Sequence, residues 1–185
     1  MPRIPGTTPY SWPWNGETDP ASMGVVICGS DVEWRGRCAG VEAVQVRIKA
    51  LADAIRSAGG VVVWVSHGAR PLDLGPPDDP AVECAGVDGF YGSRLDATLR
   101  RRGVGSLLMA GFGLEGPVHS TLRSANDRGY ECLLVADACA ALDDNLRAAA
   151  LSTVEMSGGI FGAVGHLDPV VDFYRTHHQG ALHVR

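Results

Sequence analysis

The stretch VGSLLMAGFGLEGPVHSTLRSANDRGYECLLVADA, Val104 to Ala138, decides the fold. It opens on an apolar run, VGSLLMAG, of the kind a strand buried on both faces requires. PVHSTLRSANDRG then reads as a helix closed by Gly129, since glycine terminates helices readily. ECLLVADA is a second buried strand. Strand, helix and strand in immediate succession form a parallel crossover unit.

The same alternation extends in both directions. Towards the N-terminus, MGVVIC (Met23 to Cys28) and VVVWV (Val61 to Val65) are apolar runs. Between them Val44, Ile48, Leu51 and Ile55 recur at helical spacing, and Gly59 and Gly60 end the pattern. SRLDATLRRRG is a helix closed by Gly103. Beyond Ala138, LDDNLRAAALSTVEMSGG reads as a helix and GIFGAV as a last strand. The expected architecture is α/β, a three-layer α/β/α arrangement with a mainly parallel sheet of about six strands. One domain over residues 21–185 follows an extended N-terminal arm over 1–20. A Pro- and Asp-rich loop is expected over 70–80, and the tail from Phe173 shows no pattern.

Composition narrows the function. The 185 residues carry a net charge of -5, with 20% charged and 45% hydrophobic residues. An acidic chain does not suit phosphate contacts, so nucleic acid is not an expected partner. The basic run Arg100 to Arg102 falls at a helix end, where positive charge suits the dipole. No apolar run reaches membrane-spanning length and the N-terminus has no apolar signal core, so a cytoplasmic protein is expected. The five cysteines are odd in number and form no CxxC pair, against a disulfide framework or a zinc finger. Neither a cofactor nor a metal is expected. The arm carries Tyr10, Trp12 and Trp14, apolar surface expected to dock on a neighbouring molecule.

In a parallel sheet, sites lie beyond the carboxyl ends of the strands. Those ends here are Cys28 to Asp31, Ser66 to His67, Gly111 to Pro117, and Asp137 to Cys139.

Several segments resemble one family. LLMAGFGLEGPVHSTLRSANDRGYECLLVADACAALDD resembles the signature region of the isochorismatase-like cysteine hydrolases. DGFYGSRLDATLRRRGV and AAALSTVEMSGGIFGAV resemble two further family segments. PYSWPWNGETDPASMGVVI is similar to the start of the biuret hydrolase and ureidoacrylate amidohydrolase branch. The resemblance implies an Asp, a Lys and a Cys: a thiolate that attacks an amide carbon, an Asp that relays the proton, a Lys that favours both charges, and backbone N–H groups that hold the oxyanion.

Carried over residue by residue, the resemblance puts the Asp position at Cys28, the Lys position at Cys84, six residues before Phe90, and the nucleophile position at Pro117, two before His119. No catalytic residue is therefore expected. Proline removes the thiol and a backbone donor together, while a neutral Cys pair avoids the buried unpaired charge that losing only one partner would leave.

The pocket candidates are Asp31, His67, Phe90, Phe112, Gly113, Glu115 and His119. Asp31 is read first as a solvent-facing loop carboxylate, and second as one that reaches back into the pocket. Cys28 and Cys84 are read first as small buried hydrophobes; a disulfide, a relocated nucleophile, or a metal site with His67 are the other readings. His67 is expected on the core or rim, bonded to backbone.

The leading functional expectation is a non-catalytic homologue. It would act as a subunit in a homo-oligomer, or beside an active paralogue, or as a binder of a small amide-like ligand. The alternatives are an active C–N hydrolase with a relocated cysteine and a free-standing small-molecule binding protein.

Overall fold

The computed structural model describes residues 3–68 and 75–181, with the side chains of 177–181 left aside. Six strands form one sheet: β1 (Met23–Cys28), β2 (Val61–Ser66), β3 (Ala81–Glu83), β4 (Ser106–Phe112), β5 (Glu131–Ala140) and β6 (Ala163–Gly165). Their order is β3-β2-β1-β4-β5-β6 and every pairing is parallel. From β1 the chain builds outward to β3, then returns and builds the other way from β4. The switch lies between β1 and β4, where such sheets open a crevice at their carboxyl ends.

Helices α1 (Val32–Gly36), α2 (Val41–Ser57), α3 (Leu95–Arg100), α4 (His119–Asp127), α5 (Asp144–Glu155) and α6 (Leu167–Ala181) complete the fold. Strand side chains alternate between two cores. Val25 and Ile27 of β1 face the core shared with α2 and α6, while Val26 and Cys28 face the core shared with α3, α4 and α5. Both cores are apolar, which gives the three-layer α/β/α arrangement its two buried sheet faces. The α2 residues at helical spacing, Val44, Ile48, Leu51 and Ile55, are all buried, and Gly59 follows the helix with φ 86. No helix among the described residues is long and apolar enough to cross a membrane.

The structure departs from the expectations in four places. The loop expected over 70–80 lies outside the described residues as far as 74, and β3 follows it. This edge strand is three residues long with an exposed–buried–exposed pattern, too short to show periodicity. The short helix α1 follows β1. The tail is helical: Leu167, Val170, Val171 and Tyr174 are buried at helical spacing in α6, and a window opened at Phe173 begins past most of that pattern.

The arm is the fourth departure. It docks on its own domain. Ile4 and Trp12 are fully buried in the α2–α6 core. Thr8 and Val164 exchange both backbone bonds, Thr8 N–H to Val164 O at 2.9 Å and Val164 N–H to Thr8 O at 2.7 Å. Trp14 remains exposed, with Tyr10 edge-on to it at 5.0 Å. The apolar surface that suggested docking on a neighbour is thus largely spent within the chain.

The basic run behaves as a helix end. Arg100 lies 4.3 Å over the Tyr130 ring and donates to the Arg128 carbonyl.

Candidate functional site

The carboxyl ends of β1 and β2, the residues after β3 and the turn after β4 meet at a small cavity. It is lined by Cys28, Gly29, Asp31, Trp34, Val65, Ser66, His67, Cys84, Gly86, Val87, Pro117 and Thr121. Its volume is about 10 Å³, room for about one water molecule. Cys28, Cys84 and Pro117, positions distant in sequence, are brought together here.

Each of these three has a local cause. Cys28 is the last residue of β1 and alternation turns it to the α4 side. Opposite it in β4 stands Gly111, with φ 135; a Cβ there would fall 2.1 Å from the Cys28 carbonyl oxygen, so only glycine allows this approach. Cys84 directly follows β3 and is fixed by its neighbours: its thiol donates to the carbonyls of Ser66 at 3.4 Å and Gly86 at 3.1 Å. Pro117 sits inside a π-helical turn, Leu114–Val118, that leads into α4. The helical path therefore begins before the proline rather than at it. Gly113 enters that turn with φ 75.

The electrostatics disfavour a thiolate at either cysteine. Cys28 is fully buried and burial pushes its thiol up to about 12, opposed by a hydrogen bond from Thr121 and reinforced by Cys84 and Asp88. Burial likewise raises the Cys84 thiol. Among the described residues no lysine or arginine lines the cavity. The sequence contains one lysine, Lys49; it sits on α2 with a 77% exposed side chain, 3.1 Å from Asp53. Among the described residues no group of His, Cys, Asp and Glu side chains is arranged to hold a metal ion, and all five cysteines are free thiols.

Asp31 corrects the first of its two readings. It is 5% exposed, not a solvent-facing carboxylate. One oxygen accepts the N–H of Trp34 at 3.0 Å and caps α1; the other accepts the N–H of His67 at 3.0 Å. The loop after β1 folds back because this carboxylate satisfies donors on both sides of it. His67 itself is an exposed rim residue.

Five candidates stand away from the cavity. Phe112 shares its side of β4 with Leu108 and Ala110 and faces the α2 core, the opposite face from Cys28. Phe90 is buried against Tyr130, ring centroids 6.0 Å apart, with Arg128 4.6 Å over it. Gly113 shapes the turn behind Pro117. Glu115 accepts the N–H groups of Leu142 and Asp143, at 2.8 and 3.1 Å, and so clamps the loop after β5. His119 accepts from Arg123 Nε at 3.1 Å; burial first, then Arg123, lowers its pKa, and the Ala150 backbone opposes that shift.

Ser66, at a strand end where the site was expected, belongs to the lining, and so do Trp34 and Thr121, which were not anticipated. Thr121 had a readable signal: it lies four residues after Pro117 on the same helical path, so the two share a face. Its hydroxyl accepts the Gly89 N–H at 2.8 Å. Trp34 lies in α1, a helix of five residues, too short to show periodicity.

Residues 69–164 match the isochorismatase domain. The chain belongs to the isochorismatase family. Within that family it is similar to the ureidoacrylate amidohydrolase RutB of Methylobacterium radiotolerans, 39% identical over 80 residues, and to the uncharacterized isochorismatase family protein YecD of Escherichia coli O157:H7, 38% identical over 79 residues. These matches take in 43% and 42% of this chain and span only 31% and 40% of the two relatives. The fold is shared with a cysteine hydrolase from Pseudomonas syringae pv. phaseolicola, TM-score 0.77 at 20% identity, over 95% of this chain and 98% of that one. It is shared also with the nicotinamidase SaPncA of Staphylococcus aureus, TM-score 0.69 at 17% identity, over 79% and 99% of the two chains. The isochorismatase-family hydrolase fold expected from the sequence is the fold observed.

Proposed function

We propose that this isochorismatase-family chain is non-catalytic and serves as a subunit of an assembly, either with copies of itself or with an active amidohydrolase of the same family. One observation carries the reading: Cys28, Cys84 and Pro117 meet at a cavity of about 10 Å³, in a sequence whose only lysine is an exposed residue of α2. A thiolate mechanism needs a cation or base beside the sulfur. Here the Cys28 thiol is held up to about 12 by burial, so it stays protonated at neutral pH.

The cavity size speaks against a small amide-like ligand in this place, since room for one water does not admit an amide. The subunit role draws support from the surface. Trp14, Met156 and Ile160 are 66, 79 and 72% exposed, and the Trp14 ring lies beside Gly159, next to Ile160 in the chain; exposed apolar side chains brought together in this way suit a protein partner.

The test is an assay of purified full-length protein with ureidoacrylate, run beside an active ureidoacrylate amidohydrolase. Turnover indistinguishable from the no-protein control is expected. Turnover above it that disappears in Cys28→Ala or Cys84→Ala would overturn the reading in favour of a relocated cysteine nucleophile.

A further inference from the structure

Two cysteines are short side chains, and a site lined by them at β1 and after β3 should enclose a sizeable void. It encloses about 10 Å³. Trp34 is one of its lining residues, and its indole lies against the turn that carries Pro117. A Cβ placed on Gly113 would lie 3.2 Å from Trp34 Cε3, and one on Gly116 would lie 3.4 Å from both Cη2 and Cζ3. The ring therefore rests against the two glycines of the turn that carries Pro117, most tightly at Gly113.

Trp34 is held at three points. Its N–H donates to Asp31 Oδ1 at 3.0 Å. Its carbonyl accepts the Cys38 thiol at 3.2 Å, and the same sulfur accepts the Gly113 N–H at 3.2 Å. The Arg37 guanidinium lies 4.6 Å from the ring centroid, a favourable cation–π distance. Asp31 also binds the His67 N–H, so one carboxylate ties the helix bearing Trp34 to the end of β2 across the cavity. Of the lining, only His67 and Val87 are exposed, and Trp34 and Gly86 are partly so. Among the described residues these four form the mouth, and Trp34 is much the largest of them.

We propose that Trp34 is a fixed plug, seated on Gly113 and Gly116 and pinned by Asp31, that closes the cavity of Cys28 and Cys84 to small molecules. The plug is a steric barrier separate from the absent chemistry. It rests on the non-catalytic reading only for what the cavity descends from, and access can be measured without measuring turnover.

Full-length protein, Trp34→Ala and Trp34→Phe are exposed to methyl methanethiosulfonate, a small neutral thiol reagent, and each cysteine is followed by peptide mass mapping. Cys132, fully buried and outside the cavity lining, reports general loosening of the fold. In Trp34→Ala, labelling of Cys28 and Cys84 is expected to rise about tenfold or more relative to Cys132, as for a local opening. Trp34→Phe, which keeps a ring on the glycines, is expected to stay near the wild-type rate. Equal Cys28 and Cys84 labelling in wild type and Trp34→Ala overturns the plug. So does a parallel rise at Cys132, which would make Trp34 a residue of general stability. Hydrolysis by the wild-type protein would sink the non-catalytic reading and leave the labelling result standing.

Discussion

The Val118 N–H donates to the Gly113 carbonyl at 3.3 Å, a bond that spans five residues. The four-residue bond that an α-helix would make in its place needs an N–H on residue 117, and proline has none. The Gly113 carbonyl takes Val118 instead, together with the Gly116 N–H at 3.0 Å, and the turn widens into a π-helix. The proline that removes the thiol thus also reshapes the backbone where a nucleophile would be presented.

Replacing Pro117 alone is therefore expected to restore nothing. Pro117→Cys returns a thiol and an N–H but neither a base nor a cation, and residues that act as a unit fail as a unit. Ureidoacrylate hydrolysis by this variant should match the no-protein control. Rates approaching those of an active relative would mean that the other two positions carry chemistry as they stand.

The combined variant Cys28→Asp, Cys84→Lys, Pro117→Cys tests the placement of all three. While Trp34 is in place, a cavity of about 10 Å³ cannot take the longer side chains, and the variant should be destabilised by several kcal/mol, as buried charges without a fitted site are. Adding Trp34→Ala is expected to recover part of that stability in urea titrations and to lift turnover above background. Activity of the combined variant with Trp34 intact would show that the indole obstructs nothing.

Asp31 offers a test of stability rather than activity. It is buried and accepts two backbone N–H groups at 3.0 Å. Hydrogen bonds to a charged acceptor contribute about 1.5–3 kcal/mol each, and orphaned donors add a penalty. Asp31→Ala should cost roughly 3 kcal/mol in urea-induced unfolding. A loss within the ordinary surface range of about 0.5 kcal/mol would show that the cap and the link to β2 are dispensable.

What could be read in advance divides along physical lines. The strands β1, β2, β4 and β5 and helix α2 were legible because burial on both faces or along one stripe imposes a period that extends over many residues. Dense neighbouring segments anchor the assignments of Cys84 and Pro117, whereas that of Cys28 had the weakest support; the fold brings all three to one cavity. Asp31 was misjudged because a side chain in a loop is oriented by its partners, the N–H groups of Trp34 and His67, and the second of these lies 36 residues away. Phe112 was misplaced by one step of strand alternation, which flips a side chain through the sheet. Trp34 carried no signal, since the surface its ring rests on is two glycines more than seventy residues downstream.

The arm supplies a comparison between two tryptophans. Trp12 is fully buried beside Ile4, whereas Trp14 is 66% exposed. Trp12→Ala should cost about 3–5 kcal/mol, as truncation of a buried aromatic does, and Trp14→Ala less than about 0.5 kcal/mol. In sedimentation the ordering should reverse if Trp14 with Met156 and Ile160 contacts a partner: Trp14→Ala, not Trp12→Ala, should shift a folded assembly towards monomer. A wild-type protein that sediments as a monomer and binds no active amidohydrolase of the family would remove the subunit proposal.

His119 sets a pH dependence whose sign follows from its surroundings. Burial, and next the neighbouring Arg123, lower its pKa below the ordinary 6.5. A depressed histidine pKa means that the unfolded chain takes up a proton before the folded one does. Stability is then fully present above the unfolded value, near 6.5, and falls as pH drops below it towards the folded value. His119→Asn removes the titration while keeping a polar side chain beside Arg123. Urea midpoints measured from about pH 7.5 down to about pH 5 should decline for the wild type and decline less for His119→Asn. Identical slopes for the two proteins would show that the imidazole is as free to protonate in the fold as in the unfolded chain. That outcome would contradict the burial and the 3.1 Å contact from Arg123 Nε to its Nδ1, because an imidazolium has no lone pair to accept that bond.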